Sequence, residues 1–266
     1  MSDLTLYHNG PSTCSQKVRL ILELKNLSYN SKDVNLLAGE QHDPEYVKLN
    51  PNHVVPTLVT KDSVLIESNL IVEYLDDAYP EIPARPSEPE AIHKVRLWMK
   101  HIDTFQQYTG PITYGIAVRK LQMNKSDEEK EADLQNIPDP VKRQARKETM
   151  EKGIDAPIVM NSLRKAGDFL DQLEANIEDS GWIAGDKFSM ADACTLPYIQ
   201  RLDHLALSEA FSEEKRPKIN KWYKKVKDLD FFDKAVTSQI PPPLVEMMNT
   251  FGEEVKDKAL TLMEEN

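Results

Sequence analysis

The sequence predicts an α/β N-terminal domain followed by an all-α, helical-bundle C-terminal domain. Three observations carry that reading. Strand and helix signals alternate through the first 80 residues, a proline-rich stretch (Pro80–Pro89) interrupts them, and from Ala91 onward only long segments of helical period remain. Alternating elements pack helices on a mixed sheet, and a succession of amphipathic helices packs into a bundle.

Leu4 to His8 alternates as a short strand, with Leu4, Leu6 and His8 on one face. Asn9-Gly10-Pro11 is a turn, and Ser12 to Lys25 reads as a helix with Val18, Leu20, Ile21, Leu22 and Leu24 apolar. Tyr29–Val34 is a second strand, followed by a loop and a short helix around Asp43–Lys48. Thr57–Thr60 and Val64–Glu67 form a hairpin across Lys61-Asp62-Ser63, and Ser68–Tyr79 is an amphipathic helix. The order is β-α-β-α-β-β-α over residues 1–82, with a linker at 83–90. Helices are then expected at Ala91–Thr109, about Ile158–Asp179, Met190–Leu205, Pro217–Asp228 and Phe231–Thr237, within a domain of residues 91–240. A charged insertion at about 123–155 reads as a solvated, mobile or helical excursion, and residues 241–266 as a polar tail helix.

Composition excludes several function classes. There are 33 Lys+Arg against 44 Asp+Glu, a formal charge of −11, so a nucleic-acid partner is not expected. No apolar run of about 18 residues exists, so no membrane span is expected. The start, MSDLTLYHNG, lacks the basic and apolar regions of a secretory signal, and two cysteines make no disulfide framework, so a cytoplasmic location is expected. With nine glycines and neither G-x-G-x-x-G nor G-x-x-x-x-G-K-[ST], a glycine-rich phosphate cradle is absent. The six histidines include no H-x-x-x-H pair, so no metal site is expected.

Three short motifs carry chemistry. Pro56 leads into a strand, where it fits only the first residue or an edge. In the cis form, which costs an X-Pro bond only about 0.5–1 kcal/mol, it would expose the Val55 N–H and C=O to a peptide-like ligand; the plain alternative is a trans proline at a strand start. Glu67-Ser68 stands at a strand-to-helix junction, with Ser68 expected as the N-cap. The helix N-terminus suits a ligand carboxylate and Glu67 a ligand ammonium, the two halves of an amino-acid head group. Ser12-Thr13-Cys14-Ser15 opens the first helix, where hydroxyls and a thiol can stabilise an anion or serve only as caps. With no C-x-x-C, two-cysteine disulfide exchange is excluded.

Together these motifs resemble the cytosolic glutathione transferases, over about residues 3–235. Leu37-Ala38-Gly39-Glu40-Gln41 and Leu49-Asn50-Pro51-Asn52-His53-Val54-Val55-Pro56-Thr57-Leu58 resemble the delta class. Ser12-Thr13-Cys14-Ser15 with Lys17-Val18-Arg19-Leu20 resembles the zeta class and a glutathione-dependent reductive dehalogenase. Gly185-Asp186-Lys187-Phe188-Ser189-Met190-Ala191-Asp192 resembles the family's buried capping box, and physically Ser189 and Asp192 form an S-x-x-D version of one. Ile137-Pro138-Asp139-Pro140 and the insertion around it resemble bacterial β-aryl etherases and suggest a lid over an elongated pocket.

The resemblance implies a thioredoxin-like N-terminal domain, a helical C-terminal domain and glutathione as co-substrate. Glu67 and Ser68 would hold the γ-glutamyl group, and the Val55 backbone before Pro56 would pair with the cysteinyl unit. His53 would meet the glycine carboxylate with help from Gln41; Val54 stands where many relatives carry Gln or Lys. Ser12 matches the serine that donates to the glutathione sulfur, Cys14 the dehalogenase's reactive cysteine and Ser15 a serine of the etherases, so all three stay open as catalytic residues. Lys17 and Arg19 are further sources of positive potential. Ile112-Thr113-Tyr114-Gly115 resembles the dehalogenase, which makes Phe105, Tyr108, Thr109 and Tyr114 the electrophile-pocket candidates, in a pocket expected between the domains. Core packing is the alternative for Phe105 and Trp98.

Lowering a thiol pKa of about 8.5 by roughly two units requires about 2.7 kcal/mol. A helix terminus supplies about 0.3–1 kcal/mol, and a hydroxyl bonded to the thiolate about 1.5–3 kcal/mol. Together they suffice. The resemblance thus implies detoxification-type conjugation by a homodimeric transferase that adds the glutathione thiolate to a small hydrophobic or aromatic electrophile. The alternatives are a glutathione-dependent aryl-ether lyase or reductive dehalogenase using Cys14, and a non-catalytic binding protein on the same fold.

Overall fold

In the computed structural model, residues 3–137 and 139–265 are described; Pro138 of the Ile137–Pro140 motif lies outside them. The first elements are β1 (Thr5–His8), α1 (Thr13–Leu24), β2 (Asn30–Asp33), α2 (Pro44–Leu49), β3 (Thr57–Val59), β4 (Val64–Leu65) and α3 (Ser68–Ala78). The strands form one sheet in the order β2-β1-β3-β4, with β2 parallel to β1 and the other two pairings antiparallel. Leu4, Leu6 and His8 are all buried, and Leu6 pairs with the equally buried Leu58. Helix α1 closes in a Schellman turn: Asn26, at φ 54°, donates to Glu23 O and Leu27 donates to Leu22 O at 2.9 Å.

The fourth strand is shorter than the sequence suggested. Pairing stops at Leu65 because Glu67 adopts φ 68° and turns the chain into α3. Ser68 is accordingly the first residue of α3 and Glu67 holds the N-cap position, which corrects the expectation that Ser68 caps this helix.

The chain divides into two compact units that cut across the boundary suggested by the proline-rich linker. One takes residues up to Ile102 together with Ile177–Pro197 and Trp222–Pro241; the other takes Asp103–Asn176, Tyr198–Lys221 and the chain from Pro242. Within the first unit the proline-rich stretch is pinned. Lys25 Nζ sits 2.6 Å from buried Asp76 and donates to the carbonyls of Tyr79 and Ile82, while Asp76 accepts from the Ala84 N–H at 2.7 Å. A carboxylate and an ammonium inside a fold need such partners for their remaining hydrogen-bonding capacity.

The long helix α4 (Pro89–Thr113) continues through a wide π-type turn at Tyr114–Val118 into a short helix α5 (Arg119–Gln122). The insertion then folds as α6 (Asp127–Gln135) and α7 (Pro140–Lys152), so the helical option holds for it. Ser126 and Glu129 form a reciprocal capping box on α6. In the second unit the Arg146 guanidinium of α7 lies 3.7 Å from the centroid of the Tyr114 ring, anchoring the insertion to the π turn by a cation–π contact.

The remaining helices are α8 (Pro157–Asn176), α9 (Met190–His204), α10 (Pro217–Lys227), α11 (Phe232–Ala235), α12 (Pro242–Glu253) and α13 (Lys256–Glu264). The tail is thus two helices rather than one, with Ala259, Leu260, Leu262 and Met263 buried. Its second helix lies so close to α8 that a Cβ on Gly167 would fall 1.9 Å from the Met263 carbonyl oxygen.

The start of α9 matches the capping-box reading. Ser189 Oγ accepts from the Ala191 N–H, and Asp192 Oδ2 accepts from both the Ser189 N–H and its hydroxyl at 2.9 Å. Its other oxygen, Oδ1, accepts from the Ile183 N–H and from Trp222 Nε1 at 2.8 Å. Burial raises the Asp192 pKa to about 6, opposed by these hydrogen bonds.

Candidate active site

Strand register gathers the N-terminal candidates at one edge of the sheet. Tyr7 pairs with Thr57 in an antiparallel ladder, so the chain leaving β1 passes beside the chain entering β3. Leu58 pairs with Leu65, which returns the chain after β4 to the same edge. The turn before α1, the Val55–Pro56 segment and the Glu67–Ser68 junction therefore share one rim, as does the chain after β2, where Asn9 Nδ2 donates to Val34 O.

The turn before α1 is held from within. Arg19, fully buried, donates from Nη2 to Gly10 O at 2.7 Å, from Nε to Ala235 O at 2.7 Å, and from Nη1 to His8 Nδ1 at 3.0 Å and Asn9 O at 3.3 Å. Burial lowers its pKa to about 10, with Tyr29 and Asp33 acting the other way, so it stays charged near neutrality. His8 accepts from Arg19 at Nδ1, which leaves Nε2–H to donate to Ser31 Oγ at 2.7 Å. Burial, and secondarily Arg19, lowers the His8 pKa to about 4.

On this frame Ser12 is the N-cap of α1, its Oγ accepting from the Ser15 N–H at 3.3 Å. Ser15 is fully buried and its Oγ accepts from the Asn9 N–H at 3.3 Å, which ties the helix start to the end of β1. Cys14 is half-buried in the first turn, and Cys194 is buried in α9. Lys17 is buried and donates to Asn69 Oδ1 at 3.1 Å, linking α1 to α3.

Before β3, the Val55–Pro56 peptide is cis. Val55 is buried against Val34 and Tyr46, and the Val54 carbonyl is fixed by two donors, Tyr46 Oη at 2.6 Å and Asn50 Nδ2 at 2.9 Å. His53 stands at φ 56°, in a conformation that favours glycine, and its Nδ1 lies 3.1 Å from His42 Nδ1. Gln41 Nε2 lies 3.2 Å from the other nitrogen of His42.

At the third corner Glu67 is exposed and accepts from Asn52 Nδ2 at 3.3 Å, so its carboxylate reaches toward the His53 loop instead of capping its own helix. The first bond along α3 is Ile71 N–H to Glu67 O at 2.9 Å. The N–H groups of Ser68, Asn69 and Leu70 precede it and lie outside the intrahelical ladder. Residues in left-handed conformations without glycine, here His53 and Glu67, concentrate at ligand sites.

The electrophile candidates belong to the second unit. Phe105 is buried and stacks on Phe169 with centroids 4.1 Å apart, the packing alternative. Trp98 of the first unit does likewise, donating to Thr195 Oγ1 at 2.6 Å. Tyr108 is half-buried, Thr109 is buried, and Tyr114 is buried beneath Arg146. Desolvation raises the Tyr114 pKa, which Arg146 opposes. Sequence reasoning passed over His42, Asn52, Tyr46 and Arg146. Only the Tyr46 and Asn50 spacing within one short helix and its exit offered a local signal; the others are set by contacts across loops or between helices.

Fold and site define a class, and comparison with known proteins gives the family. The glutathione S-transferase N-terminal domain matches residues 2–77 and the glutathione S-transferase C-terminal domain residues 138–230. The chain is 30% identical over 249 residues to tetrachloro-p-hydroquinone reductive dehalogenase of Sphingobium chlorophenolicum, covering 88% of this chain and 96% of that protein. It is 27% identical over 229 residues to protein LigF of Sphingobium sp. strain SYK-6, covering 84% and 89%. The crystal structure of the β-etherase LigF superposes with a TM-score of 0.78 at 26% identity, covering 89% of this chain and 98% of that one. Over 85 residues, 32% of this chain and 38% of the relative, identity to glutathione S-transferase Z2 of Arabidopsis thaliana reaches 47%. The chain belongs to the glutathione S-transferase family, a family of enzymes, and has its two-part fold. Among the described residues no helix is long and apolar enough to cross a membrane.

Proposed function

We propose that this enzyme binds glutathione along the rim of its sheet and activates the thiol for attack on a small hydrophobic or aromatic electrophile. The observation that carries the reading is the convergence, at one sheet edge, of the α1 start, the Val55 backbone and the α3 start beside Glu67. Glu67 meets the γ-glutamyl ammonium and the Ser68 end of α3 its carboxylate; Val55 pairs with the cysteinyl backbone and His53 takes the glycine carboxylate, aided by Gln41. The thiol then lies at the α1 start. Ser12 and Ser15 each accept one backbone N–H and keep an O–H to donate, but Ser15 is fully buried while Ser12 is half-buried at the helix start, where it can reach a thiolate. Ser12 is thus the sulfur-facing hydroxyl and Ser15 a fixing group. Tyr108, Thr109 and Tyr114, with Phe105 behind them, contact the electrophile. A cytosolic homodimer is the form in which it acts.

The half-buried position of Cys14 in the same helix turn favours a second reading, glutathione-dependent reductive dehalogenation or aryl-ether cleavage with Cys14 as a reacting thiol. Calorimetric titration with glutathione, followed by turnover of an aryl halide, separates the possibilities. In the transferase reading wild type binds glutathione, Ser12→Ala lowers conjugation by about 10²-fold, as loss of a hydrogen bond to a charged group does, and Cys14→Ala retains it. Turnover that survives Ser12→Ala and vanishes in Cys14→Ala establishes the second reading. Absence of binding leaves a non-catalytic protein on this fold.

A further inference from the structure

His42 is not among the residues assigned above, yet it bridges two that are. Its Nε2 lies 3.2 Å from Gln41 Nε2 and its Nδ1 lies 3.1 Å from His53 Nδ1, with the two rings tilted by 42° at a centroid distance of 5.2 Å. The Gln41 amide nitrogen can only donate, so His42 Nε2 is the acceptor. A neutral His42 then carries its proton on Nδ1 and donates it to His53 Nδ1. His53 is left protonated at Nε2, the nitrogen on the far side of its ring from His42. Desolvation, and then His53, lower the His42 pKa, which keeps this arrangement in its neutral form.

We propose that His42 is a positioning residue: the Gln41–His42–His53 chain locks His53 in the Nε2–H tautomer and so presents that N–H to the carboxylate of a bound ligand. The inference rests on the assignment of His53 to the glycine carboxylate of glutathione. It also changes what Gln41 does, because the amide acts through His42 rather than on the ligand. Unlocked, an imidazole divides its proton between two nitrogens, and the molecules with an unprotonated Nε2 would present a lone pair to the carboxylate. His42 is exposed, so its replacement leaves the fold in place.

Long-range ¹H–¹⁵N spectra of the ¹⁵N-histidine-labelled full chain read the tautomer without any ligand. The expected result is His53 predominantly in the Nε2–H form in wild type, a mixture in His42→Ala, and recovery in His42→Gln, whose amide can again donate to His53 Nδ1. Glutathione titrations of the same proteins should show affinity falling roughly five- to tenfold in His42→Ala, with His42→Gln closer to wild type. A mixed or Nδ1–H His53 in wild type overturns the proposal, as does unchanged affinity in His42→Ala. Failure of wild type to bind glutathione overturns the site assignment itself and takes the role of His42 with it. Binding with no effect of His42→Ala defeats the role of His42 alone.

Discussion

The Nη2 of Arg19 donates to the carbonyl of Gly10 at 2.7 Å, and the same guanidinium reaches Ala235 O at 2.7 Å. One buried side chain therefore sets the turn that presents Ser12 and ties it to a segment more than two hundred residues away. A planar fork satisfies several carbonyls at once, which an ammonium on a flexible stem does not. Arg19→Lys should cost about 2–4 kcal/mol, because buried carbonyls lose their donors. Urea unfolding measures it, and a loss below about 0.5 kcal/mol, the size of an ordinary surface change, would show that the turn holds without the clamp.

His8 gives stability a pH dependence of definite sign. Folded, its pKa is about 4 against an ordinary 6.5, so below pH 6.5 the unfolded chain takes up a proton that the folded one refuses. Its contribution is complete above pH 6.5 and is lost as the pH falls toward 4. Asp192 acts oppositely: raised to about 6 from 3.8, it contributes most below pH 3.8, and that contribution is lost as the pH rises through 6. Comparing wild type with His8→Gln removes the Asp192 part, since both proteins share it. The stability difference between them should change by about 2 kcal/mol from pH 7 to pH 5. A difference independent of pH would mean that His8 titrates normally in the fold.

The capping box at α9 separates a cap from a hub. Ser189→Ala removes the acceptor for the Ala191 N–H and should cost about 1 kcal/mol. Asp192→Ala strands the Ile183 N–H and Trp222 Nε1 as well as the Ser189 donors, and about 3 kcal/mol or more is expected. The double variant should cost less than the sum, because Ser189 and Asp192 share a bond. Additive thermal shifts would contradict the shared network.

What could be read locally was read well. The face shared by Leu4, Leu6 and His8 is buried as its alternation requires, and Ser12 and the Ser189–Asp192 pair cap their helices through side-chain bonds within three residues. Ser68 shows the limit of that logic. Serine is a good cap by type, but position depends on backbone dihedrals, and Glu67 at φ 68° moved the helix start by one residue. The second tail helix, α13, packs on α8 at Gly167, a contact that no window along the tail contains. His42 and Arg146 were missed for the same reason. Each lies in a polar or charged run whose pattern says only that it faces water, and each has a role because of a partner distant in sequence.

Tyr46 tests whether the support beneath the His53–Val55 loop matters for ligand binding. Its hydroxyl donates to Val54 O at 2.6 Å and lies 3.0 Å from Thr57 Oγ1, while its ring packs with Val34 and Val55. Tyr46→Phe keeps the packing and deletes only the hydroxyl. Asn50 Nδ2 remains on both acceptors, at 2.9 Å and 3.1 Å, so the loop keeps one of its two donors. The hydroxyl's one proton goes to Val54 O, so it accepts from the buried Thr57 hydroxyl; with both bonds lost the expected cost is about 2 kcal/mol of stability, with a roughly two- to fivefold loss of glutathione affinity if that loop grips the cysteinyl unit. Asn50→Ala should lower affinity similarly and cost more stability, because Asn50 Oδ1 also accepts from the Asn52 N–H at 3.1 Å. The double variant should then lose more than the sum of the two, because only the first removal is backed up by the other donor. If Tyr46→Phe destabilises the fold without moving the affinity for glutathione, the Val54 carbonyl is a structural fixture and the ligand grip lies elsewhere on the rim.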